Sequence, residues 1–137
     1  MPLQTYIGFV DGTCRSTRNI SSVAWVIYFP SNKLVSMHGV SLSQKMNNIA
    51  EYSAVIELLS ESILFGIWSL IVRLDSELIV LQLNRVYAIR NPTLLRLFLR
   101  LRLLEREFDY IEYQHIPRSL NTLADAISSR MLNRHLQ

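Results

Sequence analysis

Residues 69–75 (SLIVRLD) form a short, nearly continuous apolar run set between two segments that carry a helical period. Such a run is the pattern of a strand covered on both faces, and strands of that kind belong to sheets with helices packed against them. The helical period begins at Asn47: Ile49, Tyr52, Ser53, Ile56, Leu59, Ser60 and Ile63 recur at three- and four-residue steps until Gly66, which suits a helix stop. Upstream, residues 5–11 (TYIGFVD), 22–29 (SVAWVIYF) and 34–42 (LVSMHGVSL) read as three strands, joined by the loop CRSTRN and the turn PSNK into an antiparallel meander.

Downstream, residues 76–84 predict a short helix, and Asn91-Pro92 makes a good cap and first turn for a longer helix over 93–107. YIEYQHI at 110–116 predicts a fifth strand. Pro117 then breaks the chain before a last helix over 119–132, with Ser119 as its expected N-cap. The expected class is therefore α/β, a five-stranded mixed sheet in the order βββαβααβα with flanking helices.

Half of the 137 residues are hydrophobic and only 18% are charged, enough to build one core without disulfides and too apolar for disorder. The single cysteine, Cys14, excludes a disulfide framework and a thiolate metal cluster. The N-terminus lacks the pattern of a signal peptide, and no stretch approaches the roughly 18 apolar residues of a membrane span. An intracellular protein, cytoplasmic or nuclear and not secreted or membrane-bound, is expected. Net charge is +3, but 12 of the 14 basic residues are Arg, and six of them (Arg85, Arg90, Arg96, Arg100, Arg102, Arg106) crowd one 22-residue stretch. The guanidinium fork suits phosphate and carboxylate alike.

Two carboxylates end predicted core strands (Asp11, Asp75), and two lie early in helices (Glu51, Asp125). Strand ends and helix starts converge on one rim of a mixed sheet, and a hard divalent ion takes oxygen ligands, so the four together suit a metal site. Singly, each has a plainer reading. Asp11-Gly12 can be a turn, Asp75-Ser76 a helix cap, Glu51 and Asp125 solvated helix residues, and His115 a structural strand histidine.

The joint pattern resembles the ribonuclease H family over nearly the whole chain. FVDGTC is similar to the family's first strand, NNIAEYSAV to its first helix, VRLDSELIV to its fourth strand, and HIPRSLNTLADAIS to its final loop and helix. The wording H-x-P-R-x-x-N-x-x-A-D is closer to the type 1 archaeal-like and plant branch, including domains of plant retroelements. The resemblance implies a single ribonuclease H domain over 1–137, an endonuclease hydrolysing the RNA strand of RNA–DNA hybrids. It further implies Asp11, Glu51, Asp75 and Asp125 as ligands of two Mg²⁺ ions, with Mn²⁺ as a substitute, and His115 as a helper in proton transfer or product release. Gly12, Asn47, Asn48 and Asn121 match positions expected to contact substrate, the first three at the sugar edge, where the 2′-OH separates RNA from DNA. Glu77 departs from the bacterial pattern, which has Gln at a base contact.

Two rivals share the fold: a silent connection module of a reverse transcriptase, whose mark would be lost ligands, and a DNA-acting nuclease such as an exonuclease, which expects Asp-x-Glu where this chain has Asp11-Gly12-Thr13. The helix at 93–107 adds a separate question. Leu94, Leu97, Phe98, Leu101, Leu104 and Phe108 fall in one broad arc, the expected core side, while Leu95, Leu99 and Leu103 form a second stripe rimmed by Arg96, Arg100, Arg102 and Arg106. Either Val86 to Ile89 folds over that stripe, or the stripe serves self-association or docking on a reverse transcriptase domain.

Overall fold

The structure, a computed structural model, describes residues 4–15, 20–43 and 47–136, without the side chains of residues 13–15, 43, 47 and 134–136. Strands β1 (Tyr6–Arg15), β2 (Ile20–Tyr28) and β3 (Leu34–Ser43) form the antiparallel meander. Helix α1 (Asn47–Leu64) then leads into β4 (Ser69–Leu74), which lies parallel to β1. Helices α2 (Glu77–Leu83) and α3 (Pro92–Glu105) precede β5 (Tyr110–His115), parallel to β4, and a 3-10 turn (Arg118–Leu120) precedes α4 (Thr122–Leu136). The sheet order is β3-β2-β1-β4-β5, so the crossover after the meander carries the chain to the far side of β1.

Alternation along the strands sends side chains to two layers. Val10, Val23, Trp25, Ile27, Leu70, Val72 and Leu74 face α1, whose Tyr52, Val55, Leu58 and Leu59 are fully buried against them. Each such aliphatic side chain contributes about 1.5–3 kcal/mol through burial. On the other face Ala24 and Val26 meet Ala124 of α4, with Phe9, Tyr28 and Ile127 around them. Among the described residues, helix α4 packs chiefly on β1, β2 and β3. Strand β4 is therefore covered fully on one face and not, as its apolar run suggested, on both: Ile71 and Arg73 are half-buried, and the Arg73 guanidinium lies 5.7 Å from the Phe9 ring centroid.

Other boundaries move for identifiable reasons. Strand β1 runs on past Asp11 to Arg15 because β2 pairs with it throughout, Asp11 opposite Ala24 and Gly12 opposite Val23. Ser119 lies inside the 3-10 turn and caps nothing, since its helix starts three residues later at Thr122. Asn91 does cap α3, its Oδ1 accepting from the N–H groups of Thr93 and Leu94 at 2.9 and 3.1 Å. Helix α3 is fastened by Arg102, which pairs with Glu105 at 2.7 Å and donates to the Leu83 carbonyl, while the Tyr113 hydroxyl donates to Glu105 at 2.5 Å.

The seat of α4 is tight. Ser22 Oγ donates to the Ser128 carbonyl at 2.6 Å and Ser41 Oγ to that of Met131 at 3.0 Å. A β-carbon on Gly39 would stand 2.6 Å from Ile127 Cγ2 and 2.7 Å from Met131 Cγ. Gly39→Val should therefore push α4 outward and lower stability by about 1–3 kcal/mol, the usual range for overpacking. Urea denaturation checks this, and an unchanged midpoint would show that the helix has room to spare.

Candidate active site

Asp11 sits within β1, Glu51 in the first turns of α1, and Asp75 one residue beyond the end of β4. Their nearest oxygens all lie within 4.8 Å of one another. Asp11 and Glu51 are buried, and Asp75 is half-buried.

Backbone proximity makes this possible. A β-carbon on Gly12 would lie 2.5 Å from the Glu51 nitrogen and 2.6 Å from the Ala50 carbonyl carbon, so only glycine lets α1 approach β1 this closely. The Gly12 N–H donates to Glu51 Oε1 at 2.9 Å, while Glu51 Oε2 is buried with no hydrogen-bond partner. From the other side, Asn121 Nδ2 donates to the Val10 carbonyl at 2.7 Å and to Asp75 Oδ2 at 3.2 Å. One amide thereby joins β1, the end of β4 and the start of α4.

Burial pushes the Glu51 carboxyl well above its ordinary value; the Gly12 hydrogen bond opposes this, and the neighbouring charges of Asp11 and Asp75 add to it. Three carboxylates crowd together here, and one of them, Glu51, has a buried oxygen without a hydrogen-bond partner. Hard oxygen donors in this arrangement fit a divalent cation, with Asp11, Glu51 and Asp75 able to hold it.

The remaining expected residues divide. Asp125 is not in the close group: its carboxylate is one-third exposed, and Oδ1 lies 3.4 Å from Arg118 Nη2. His115 ends β5 opposite Leu74, which brings its exposed ring to the edge where Asp75 lies. Asn48 is half-buried at the start of α1, and the Asn47 side chain lies outside the described residues. Glu77 is exposed as the first residue of α2. Asn121 is 1% exposed, with its Nδ2 donating to Val10 and Asp75, and the Gly12 N–H donates to Glu51, so both residues help hold the site together. Sequence reading also missed Arg118, because an Arg seven residues before an Asp across a turn carries no periodic signal.

A mixed sheet with carboxylates gathered where β1, α1 and β4 meet defines a ribonuclease H-like fold with an acidic, metal-type site. Comparison with known proteins agrees. Residues 9–131 match the family described as "Reverse transcriptase-like". Ribonuclease HI of Halobacterium salinarum is 32% identical over 125 residues, spanning 91% of this chain and 63% of that protein. The crystal structure of RNase H1 from that organism has a TM-score of 0.91 at 31% identity, covering 95% of this chain and 98% of that one. LC11-RNase H1, from a compost metagenome and solved in complex with an RNA/DNA hybrid, has a TM-score of 0.91 at 28% identity, covering 96% and 99%. A bifunctional protein of Mycobacterium tuberculosis is 32% identical over 89 residues, which span 65% of this chain and 24% of that protein. The chain belongs to the ribonuclease H family.

Because its carboxyl is raised in the fold, Glu51 destabilises the metal-free protein at any pH above the ordinary carboxyl value of 4.5. The penalty is complete above the folded pKa, shrinks as pH falls, and vanishes below the unfolded value. Glu51→Gln, which keeps the acceptor for Gly12, should raise stability in EDTA at pH 8 by about 1–3 kcal/mol, the scale of relieving an unsatisfied buried polar group. The advantage over wild type should disappear at pH 4. Equal stabilities at pH 8 would show that the fold tolerates this charge without cost.

Proposed function

We propose that this chain hydrolyses the RNA strand of RNA–DNA hybrids at the site formed by Asp11, Glu51, Asp75 and Asp125, with two Mg²⁺ ions as cofactor and Mn²⁺ as a substitute. The observation that carries the reading is the gathering of three carboxylates within 4.8 Å, one bearing a buried oxygen without a partner, in a chain of the ribonuclease H family. The hybrid bound by LC11-RNase H1 supports the choice of substrate. Residues 1–137 are read as one ribonuclease H domain working in the cytoplasm or nucleus. Among the described residues no helix is long and apolar enough to cross a membrane.

Divalent ions bound at such a site stabilise charge on phosphate oxygens and lower the pKa of water. The protein's own groups do the rest. Gly12 fixes Glu51 through Oε1 while Oε2 is buried without a hydrogen-bond partner, and Asn121 donates to the Asp75 carboxylate. Asp125, near the start of α4, would be the fourth ligand. As water oxygen bonds to phosphorus and the bridging P–O bond breaks, the departing oxygen needs a proton, and His115, exposed at the end of β5, is the candidate helper in that proton transfer or in product release. Asn47 and Asn48, at the start of α1, are the candidate contacts to the RNA sugar edge.

Cleavage of labelled RNA–DNA hybrid, duplex DNA and duplex RNA, each with Mg²⁺ and with EDTA, tests the reading. Hybrid alone should be cut, and only with metal. Asp11→Asn and Asp75→Asn should abolish cutting while leaving the fold intact, and His115→Ala should slow it by about 10²–10⁴, the usual share of a proton-transfer group. Asn48→Ala should raise KM more than it lowers kcat. Full activity in either Asp variant, or equal cutting of duplex DNA, would overturn the assignment.

A further inference from the structure

We infer that the solvent face of α3 is a docking site for an acidic amphipathic helix of a neighbouring polypeptide. The two sides of this helix differ in kind. Leu94 and Leu101 are buried, and Leu97, Phe98, Leu104 and Phe108 pack against the main core. Leu95, Leu99 and Leu103, four residues apart on one stripe, are 40%, 53% and 62% exposed. The segment that could have covered them does not: Val86 and Tyr87 are exposed themselves, and Ile89 packs on the core. Helix propensity gives no reason for the stripe, since Lys, Gln or Glu would serve nearly as well at exposed positions.

Charge identifies the occupant. Arg96 and Arg100 border the stripe on one side and Arg106 on the other, all three exposed. Arg102 does not count toward this rim, because Glu105 neutralises it and its guanidinium stacks 4.4 Å from the Phe98 centroid. Glu105, the one acid of α3, is committed to Arg102 and Tyr113. Arg96 and Arg100 therefore line one border of the apolar strip and Arg106, at the helix C-cap, stands at the end of the other, with Glu107 exposed beyond it, so the face is positive on balance. A second copy docking through the same face would set Arg against Arg, an unfavourable pairing across an isologous interface. A polyanion would use the arginines and gain nothing from the leucines. A helix with its own apolar stripe between Asp or Glu rims satisfies both. The stripe spans about 12 Å from Leu95 to Leu103, at 1.5 Å per residue, which matches two turns of a partner helix and suits a weak or tethered contact better than an obligate dimer.

The test uses the whole chain and two synthetic 21-residue helical peptides of roughly three heptads, each with Leu at a and d, one with Glu and one with Lys at e and g. Fluorescence anisotropy at low salt should show micromolar binding of the Glu peptide and at least about tenfold weaker binding of the Lys peptide, a difference that salt reduces. The double variant L95E/L99E should lose the Glu peptide, and R96E/R100E should reverse the preference, both cutting hybrid as the wild type does. Since every altered residue is exposed, folding is retained and circular dichroism checks it. Failure of the Glu peptide to bind, equal binding of both peptides, or unchanged binding by L95E/L99E overturns the inference. So does self-association of the wild type that L95E/L99E abolishes, which assigns the face to a second copy. A raised KM for hybrid in R96E/R100E but not in L95E/L99E assigns it to nucleic acid and overturns it equally.

Discussion

A helix backbone can lie 2.5 Å from the place a β-carbon would occupy only where the strand offers glycine, and at Gly12 that approach sets the geometry of the acidic site. It brings α1 against β1, delivers the Glu51 carboxylate to a strand N–H within a group that includes Asp11 and Asp75, and leaves its second oxygen buried without a partner. From the far side of the sheet, the Asn121 amide ties α4 to Val10 and Asp75. The carboxylates are thus held by groups the fold itself positions, and the two layers of core fix their mutual repulsion in place. Preorganisation of this kind spares a bound cation the work of assembling its own ligands.

Much of this was legible in the sequence where a residue's role depends on its near neighbours. The period change at Asn47, the Asn91-Pro92 start of α3 and its buried arc from Leu94 to Phe108 are local patterns, and the structure reproduces them. What depends on distant chain was not legible. Asp11-Gly12 looks like a strand end, but the ladder from Asp11 opposite Ala24 to Arg15 opposite Ile20 carries the strand onward. The apolar run of β4 suggests cover on two faces, yet α4 packs chiefly on β1 to β3 and leaves Arg73 over Phe9. Among the four acids, spacing could not tell that Asp125 lies beside Arg118 and outside the close group of the other three.

Helix α3 shows how one residue type takes two roles within a few turns. Arg102 is drawn inward by Glu105, the Leu83 carbonyl and the Phe98 ring, and fastens the helix to its neighbours. Arg96, Arg100 and Arg106 lie outside that network and keep their charge at the surface. Composition alone reports a cluster of arginines; the position of one glutamate decides which of them are structural.

The orphaned oxygen of Glu51 also has an evolutionary reading. A lineage released from selection for cutting would find the replacement of a clustered acid by a neutral residue thermodynamically downhill, because the substitution relieves repulsion without opening a cavity. Gly12 and Asn121 offer no such relief: a side chain at the first collides with α1, and loss of the second unties three elements. Silenced descendants of this fold should therefore shed their acids while retaining that glycine and that asparagine, and the order of loss along a family tree would record when the nuclease became a scaffold.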